Sequence, residues 1–170
     1  MGGIKKLLDW LEKIAIAGTI VTFTIMIIMG VLQVLFRYVI GSSLYFTEEL
    51  ARYMFIWGVF LASAVCLRRK SHAAIGLFVS WMPARVRRIV LTIASLCCIL
   101  FFFIIFSKGI ELTIATWGQA SPALEIPMGT IYLAIPVGGF FMLLFSIENL
   151  ITEINPKLAG GKAEGKGTEC

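Results

Sequence analysis

The sequence predicts an all-α membrane protein: four transmembrane helices, both termini cytoplasmic, and an amphipathic interfacial helix between spans two and three. Three observations carry that reading. Of 170 residues, 59% are hydrophobic and 15% charged, and the mean hydropathy is +0.92; soluble domains lie near half apolar and a quarter charged. The apolar residues gather into four runs, about 14–36, 48–67, 88–110 and 127–150, each close to the length a helix needs to cross a hydrocarbon core. The cations fall at the ends of those runs, so the net charge of +5 marks topology rather than a nucleic-acid surface.

Residues 1–13 set Lys5, Lys6, Asp9, Glu12 and Lys13 around Leu7, Leu8, Trp10 and Leu11, which suits a short helical lead-in at the water–lipid boundary. The transmembrane domain follows over 14–151. Its first span, Ile14 to Phe36, is too long for a signal-peptide core and lacks a small-residue cleavage site after it, so it reads as retained. Thr19, Thr22, Met26, Met29, Gln33 and Arg37 recur every three or four residues and form a seam, either within this chain or against another protein.

A short link, Arg37 to Tyr45, contains Gly41-Ser42-Ser43. Thr47 is the expected N-cap of the second helix, with Glu48 and Glu49 in its first turn facing the positive end of the dipole. Glu48 and Arg52, four apart, share a face and can pair. Gly58 and Ala62 form a small-xxx-small patch where another helix can approach closely. Arg68, Arg69, Lys70, Arg85, Arg87 and Arg88, with His72, then bracket an amphipathic segment of Ile75, Phe78, Val79 and Met82 that Pro83 ends.

The third span begins near Arg88, and Lys108 with Glu111 suggests that its helix runs on past the lipid towards Trp117. Gly118 to Ile126, with Ser121-Pro122, reads as a loop. Pro127 is expected in the first turn of the fourth span. Pro136, followed by Gly138-Gly139, predicts a bend inside it. The tail, 152–170, is Gly, Lys and Glu with little to bury, and is expected to be disordered. Twelve of the fifteen Lys and Arg residues sort to one side of this topology, leaving Arg37, Arg52 and Lys108 on the other; that bias places both termini in the cytoplasm.

Enzyme chemistry finds no support. A single histidine, His72, and a single aspartate, Asp9, provide neither a triad nor a metal or haem site, and Cys66, Cys97, Cys98 and Cys170 form no CxxC pair. No catalytic residue, metal or cofactor is assigned. No ionised residue lies at the centre of a span, where charge costs roughly 2.5–3.5 kcal/mol and coupled carriers keep it only where it works. The chain therefore reads as an accessory or scaffold rather than the pump itself. Two alternatives remain at this level: a self-sufficient four-helix exporter, for which the first span offers only Gln33, and a four-helix thiol oxidoreductase working through Cys97-Cys98.

Two stretches carry a family resemblance. Phe46-Thr47-Glu48-Glu49-Leu50-Ala51-Arg52-Tyr53, with Trp57, Arg68-Arg69 and His72 after it, resembles the small four-helix membrane subunit of tripartite ATP-independent periplasmic (TRAP) transporters. So does Ser121-Pro122-Ala123-Leu124-Glu125-Ile126-Pro127, leading to Tyr132, Pro136 and Gly138. Phe46 departs from the tryptophan usual in that family, an aromatic exchange that keeps the interfacial anchor. The resemblance implies a bacterial inner-membrane complex in which a periplasmic binding protein delivers an organic acid to a large subunit. That subunit moves it inward as an elevator driven by sodium or another cation gradient, and the small subunit pairs with the large one and braces it. On this basis Thr22, Met26, Gln33, Arg37, Glu48, Glu49, Arg52, Gly58 and Ala62 are candidates for the partner interface. Helix capping and a local ion pair stand as the alternative for the charged members. Ser43, Tyr45, Gln119 and Glu125 are candidates for docking the binding protein, and Arg68, Arg69, Lys70 and His72 for the cytoplasmic lipid interface.

Overall fold

The computed structural model describes residues 2–41, 45–69 and 84–154. The predicted interfacial helix, Ser43, Lys70, His72 and the tail beyond Ile154 lie outside the described residues. Helix α1 runs Gly2–Leu35 and continues as a π-helical turn over Phe36–Ile40. Helix α2 spans Tyr45–Arg68, α3 Ala84–Ala115, the single turn α4 Gly129–Tyr132, and α5 Ala134–Ile154. Among the described residues, four helical stretches are long and apolar enough to cross a membrane: Lys6–Ile40, Tyr45–Arg68, Ile89–Ala115 and Gly129–Ile151.

Local sequence explains most of the boundaries, and where the expectation differs the cause is visible. No break separates a lead-in from the first span: no Gly or Pro occurs between Ile4 and Ala17, so α1 is continuous through Lys13. At 1.5 Å per residue its 34 residues reach about 51 Å, well beyond the roughly 30 Å hydrocarbon core. Gly41 ends the π-helical turn in the left-handed region, φ 69°, with its N–H bonded to the Phe36 carbonyl. Thr47 is not an N-cap, because α2 starts two residues earlier and Thr47 is fully buried inside its first turn. Pro127 precedes its helix rather than opening it; it is bridged to Ala120 across the loop. Where a bend is expected around Pro136, the helix is interrupted at Leu133, between α4 and α5. Pro136 has no N–H for the Tyr132 carbonyl, and its ring crowds that oxygen, so the helix loosens one residue further on.

The helices stand in one row, α1–α2–α5–α3: α1 packs on α2, α2 on α5, and α5 on α3. The central position of α5 shows in its burial: 44% of an apolar 18-residue stretch of its span is buried, against 22% for α2, 6% for α1 and none for α3 over stretches of the same length. Close approach is bought with glycine at the two α5 seams. A Cβ on Gly138 would stand 2.6 Å from Phe60 Cβ of α2, and one on Gly109 of α3 would stand 2.9 Å from the Pro136 ring. Towards the end of the row where α1 begins, Ala64, Met142 and Phe145 form the core, with Leu8, Leu11, Phe60, Leu67, Phe102 and Phe141 against them.

Candidate functional site

Polar side chains concentrate at the two ends of the row, and each end holds one closed cluster. At the first, α1 begins and α2 and α5 finish. Arg68 closes α2 with a side chain only 5% exposed. Its Nε donates to Glu148 Oε2 at 2.9 Å, and its Nη1 to the Leu8 carbonyl at 2.9 Å and Glu12 Oε2 at 2.5 Å. Its Nη2 reaches Asp9 Oδ1 at 2.6 Å and Glu148 Oε1 at 3.3 Å. The guanidinium also lies 5.2 Å from the centre of the Phe145 ring. Arg69 Nε adds a bond to Glu12 Oε1 at 3.0 Å, and Asn149 Nδ2 donates to the Leu67 carbonyl at 3.0 Å, satisfying one of the orphan acceptors at the end of α2. A planar five-donor fork suits such a task better than a lysine would. The cluster fastens α1, α2 and α5 together.

Three carboxylates and a carbonyl of this chain enclose Arg68, while its neighbour Arg69 is exposed. Sequence reasoning missed Asp9, Glu12 and Glu148 as partners of Arg68, and Asn149 as the partner of the Leu67 carbonyl. A signal existed, since Glu148 is the one charged residue between Gly129 and Asn149.

At the opposite end the loop between α3 and α4 folds back on α2. Ala120 and Pro127 bridge; Ser121 N donates to the Ile126 carbonyl at 2.9 Å and Met128 N to the Gln119 carbonyl at 2.8 Å. Glu125 sits in the left-handed region, φ 53°. Glu49 of α2 is buried, and its Oε2 accepts the Ala123 N–H at 2.7 Å and the Leu124 N–H at 3.1 Å, while Oε1 accepts the Tyr53 hydroxyl. Ser121 is buried beside this group. A cleft of about 380 Å³ opens here, with Tyr45, Arg52 and Ile56 on the α2 side and Pro122, Met128 and Tyr132 on the other.

The remaining candidates divide clearly. Glu48 pairs with Arg52 at 2.9 Å, both exposed, as the four-residue spacing predicts. Arg37 is exposed on the π-helical turn, 6.0 Å from the Tyr38 ring, and no ion pair among the described residues joins it to Glu48 or Glu49. Thr22 donates to the Gly18 and Thr19 carbonyls and lies with Phe23 over Gly58, where a Cβ would meet both at 3.1 Å. Gly58 is buried in the α1–α2 seam, so its missing side chain serves a contact inside the chain rather than an outward face. Met26, Gln33 and Ala62 are half-buried; Tyr45, Gln119 and Glu125 are exposed. Cys66, Cys97 and Cys98 are free thiols on the outer surfaces of α2 and α3.

What this arrangement does chemically is hold helices and a loop in place. The Glu48–Arg52 turn and the 121–127 loop lie within residues 25–155, which match the family described as tripartite ATP-independent periplasmic transporters, DctQ component. The chain belongs to this family. It is similar to a TRAP transporter small permease protein of Haemophilus influenzae, 26% identical over 84% of this chain and 88% of that one. It is also similar to the ectoine TRAP transporter small permease protein TeaB of Halomonas elongata, 29% identical over 91% of this chain and 78% of that one. A third relative, the isethionate TRAP transporter permease protein DctMQ of Oleidesulfovibrio alaskensis, is 29% identical over 72% of this chain, which spans only 20% of it. The DctQ-family chain is thus a small TRAP transporter subunit, a multi-pass inner-membrane transport component and not an enzyme.

Proposed function

We propose that this subunit pairs with a large TRAP permease and braces it during cation-gradient-driven, sodium-coupled uptake of an organic acid delivered by a periplasmic binding protein. The observation that carries the reading is the distribution of charge. Ionised side chains lie towards the ends of the spans, the clusters of Arg68 and Glu49 are saturated by groups of this same chain, and the middle of every span is uncharged. Among the described residues such a chain offers apolar helix faces to a neighbour and no cluster of ionised side chains at mid-span for a coupling ion. The isethionate relative supports the pairing, since its name joins M and Q in one polypeptide of which this chain's counterpart is a fifth. Isethionate is itself an organic acid.

In this reading the Arg68 end is cytoplasmic, following the excess of cations at that side, and Arg69 meets lipid phosphates there. The Glu49 end is periplasmic, and Tyr45, Gln119 and Glu125 are on the side from which the binding protein arrives. Thr22, Met26, Gln33, Ala62, Arg37, Glu48 and Arg52 are the accessible members of the interface set. Affinity-tagging this chain in its native host tests the pairing. The large permease is expected to co-purify in a one-to-one complex, and deletion of any of the three genes to abolish uptake. Uptake that persists at the wild-type rate without this chain would refute the proposal.

A further inference from the structure

Glu49 carries an arrangement that neither capping nor an outward ion pair explains. Its carboxylate is buried at the start of α2, yet it accepts two successive backbone N–H groups, Ala123 and Leu124, from a loop more than seventy residues away. Consecutive amides converging on one anion form a compact, charge-assisted grip. Tyr53, one turn along α2, holds the second oxygen, so the carboxylate is fixed from its own helix while it fixes the loop. The consequence is directional: the loop's amides at 123 and 124 are turned inward, and Pro122, Ala123, Glu125 and Ile126 are left exposed on its outer edge. The same grip joins the two walls of the cleft, one from α2 and the other from Pro122 and α4.

We propose that Glu49 is a positioning residue of the transporter: by clasping the 121–127 loop to α2 it sets the shape of the outer surface on which the binding protein lands. The inference rests on the periplasmic orientation and the partnership proposed above, and it moves Glu49 from a contact residue to one that acts through the loop. Glu49 itself touches no partner. Its loss weakens capture of the binding protein while leaving the helix row and its pairing with the large permease in place.

The test uses the purified complex of this chain with the large permease, in detergent or nanodiscs, and the binding protein encoded beside them, fluorescently labelled. Glu49→Ala is expected to weaken binding of the labelled protein about tenfold. It is also expected to speed hydrogen exchange at the Ala123 and Leu124 amides by a similar factor, with the amides of α5 unchanged. Glu49→Gln keeps a neutral acceptor at the same reach and falls between wild type and alanine in both readouts. Should the alanine complex fail to assemble, the glutamine variant decides by the same two measurements. Wild-type affinity in an assembled variant, or unchanged exchange at the two amides, overturns the proposal. A wild-type complex that does not bind the labelled protein at all would instead sink the partnership on which it rests.

Discussion

Arg68 faces three carboxylates and one carbonyl, so truncating it leaves Glu12 and Glu148, 14% and 24% exposed, without their cation, while Asp9 at 58% keeps its water. Breaking one member of a buried ionic cluster costs about 3–5 kcal/mol, and Arg68→Ala is expected to lower the thermal unfolding midpoint of the purified protein far more than any exposed-charge substitution. Arg68→Lys should recover only part of the loss, because a point charge cannot hold both oxygens of Glu148 as well as Glu12 and Asp9. Glu48→Ala provides the contrast. Its pair with Arg52 is exposed on both sides, and removal is expected to change stability by less than about 1 kcal/mol. Thermal melts of the three variants in one detergent check the ranking. These two pairs also show what is legible at this scale. Glu48–Arg52 is readable because four residues on a helix are neighbours wherever the helix goes. The Arg68 cluster is not, because its partners lie 56, 59 and 80 residues away and only the row of helices brings them together.

Between helices, glycine decides how closely α5 can sit. A methyl on Gly138 would overlap Phe60 on α2, and α5 is pressed from the other side by α3 at Gly139 and Gly109, so it has no free direction in which to retreat. Gly138→Ala is expected to destabilise by about 1–3 kcal/mol through overpacking. Gly30→Ala on α1, where a Cβ meets nothing within 4 Å, should be neutral or gain up to about 1 kcal/mol from helix propensity. The same detergent melts separate the two outcomes. Hydropathy made the four long elements readable, since runs of that length and character have few alternatives in lipid. Their ends were harder. The turn at Leu133 follows from Pro136, but its exact place depends on which carbonyl the ring displaces. α2 starts three residues before the expected residue 48 and α4 two residues after the expected 127: Thr47 is buried inside its helix, and Pro127 is bridged to Ala120 across the loop.

The whole molecule is a row of helices with polar clasps at both ends, α1 and α3 on its flanks, and an uncharged middle. Its family was legible from the spacing of the Glu48–Arg52 turn and the 121–127 loop. The pairing order of the helices was not, because apolar faces in lipid carry no periodic signal of who packs on whom. A reporter fused after Ile154 is expected to be active only on the cytoplasmic side, as the cation bias requires. The central claim, that this subunit braces transport and does not power it, is tested most directly by reconstituting it into liposomes alone and together with the large permease, then imposing a sodium gradient in the presence of loaded binding protein. The account predicts no substrate accumulation from the small subunit alone and gradient-dependent accumulation from the pair; accumulation driven by the small subunit alone would contradict it.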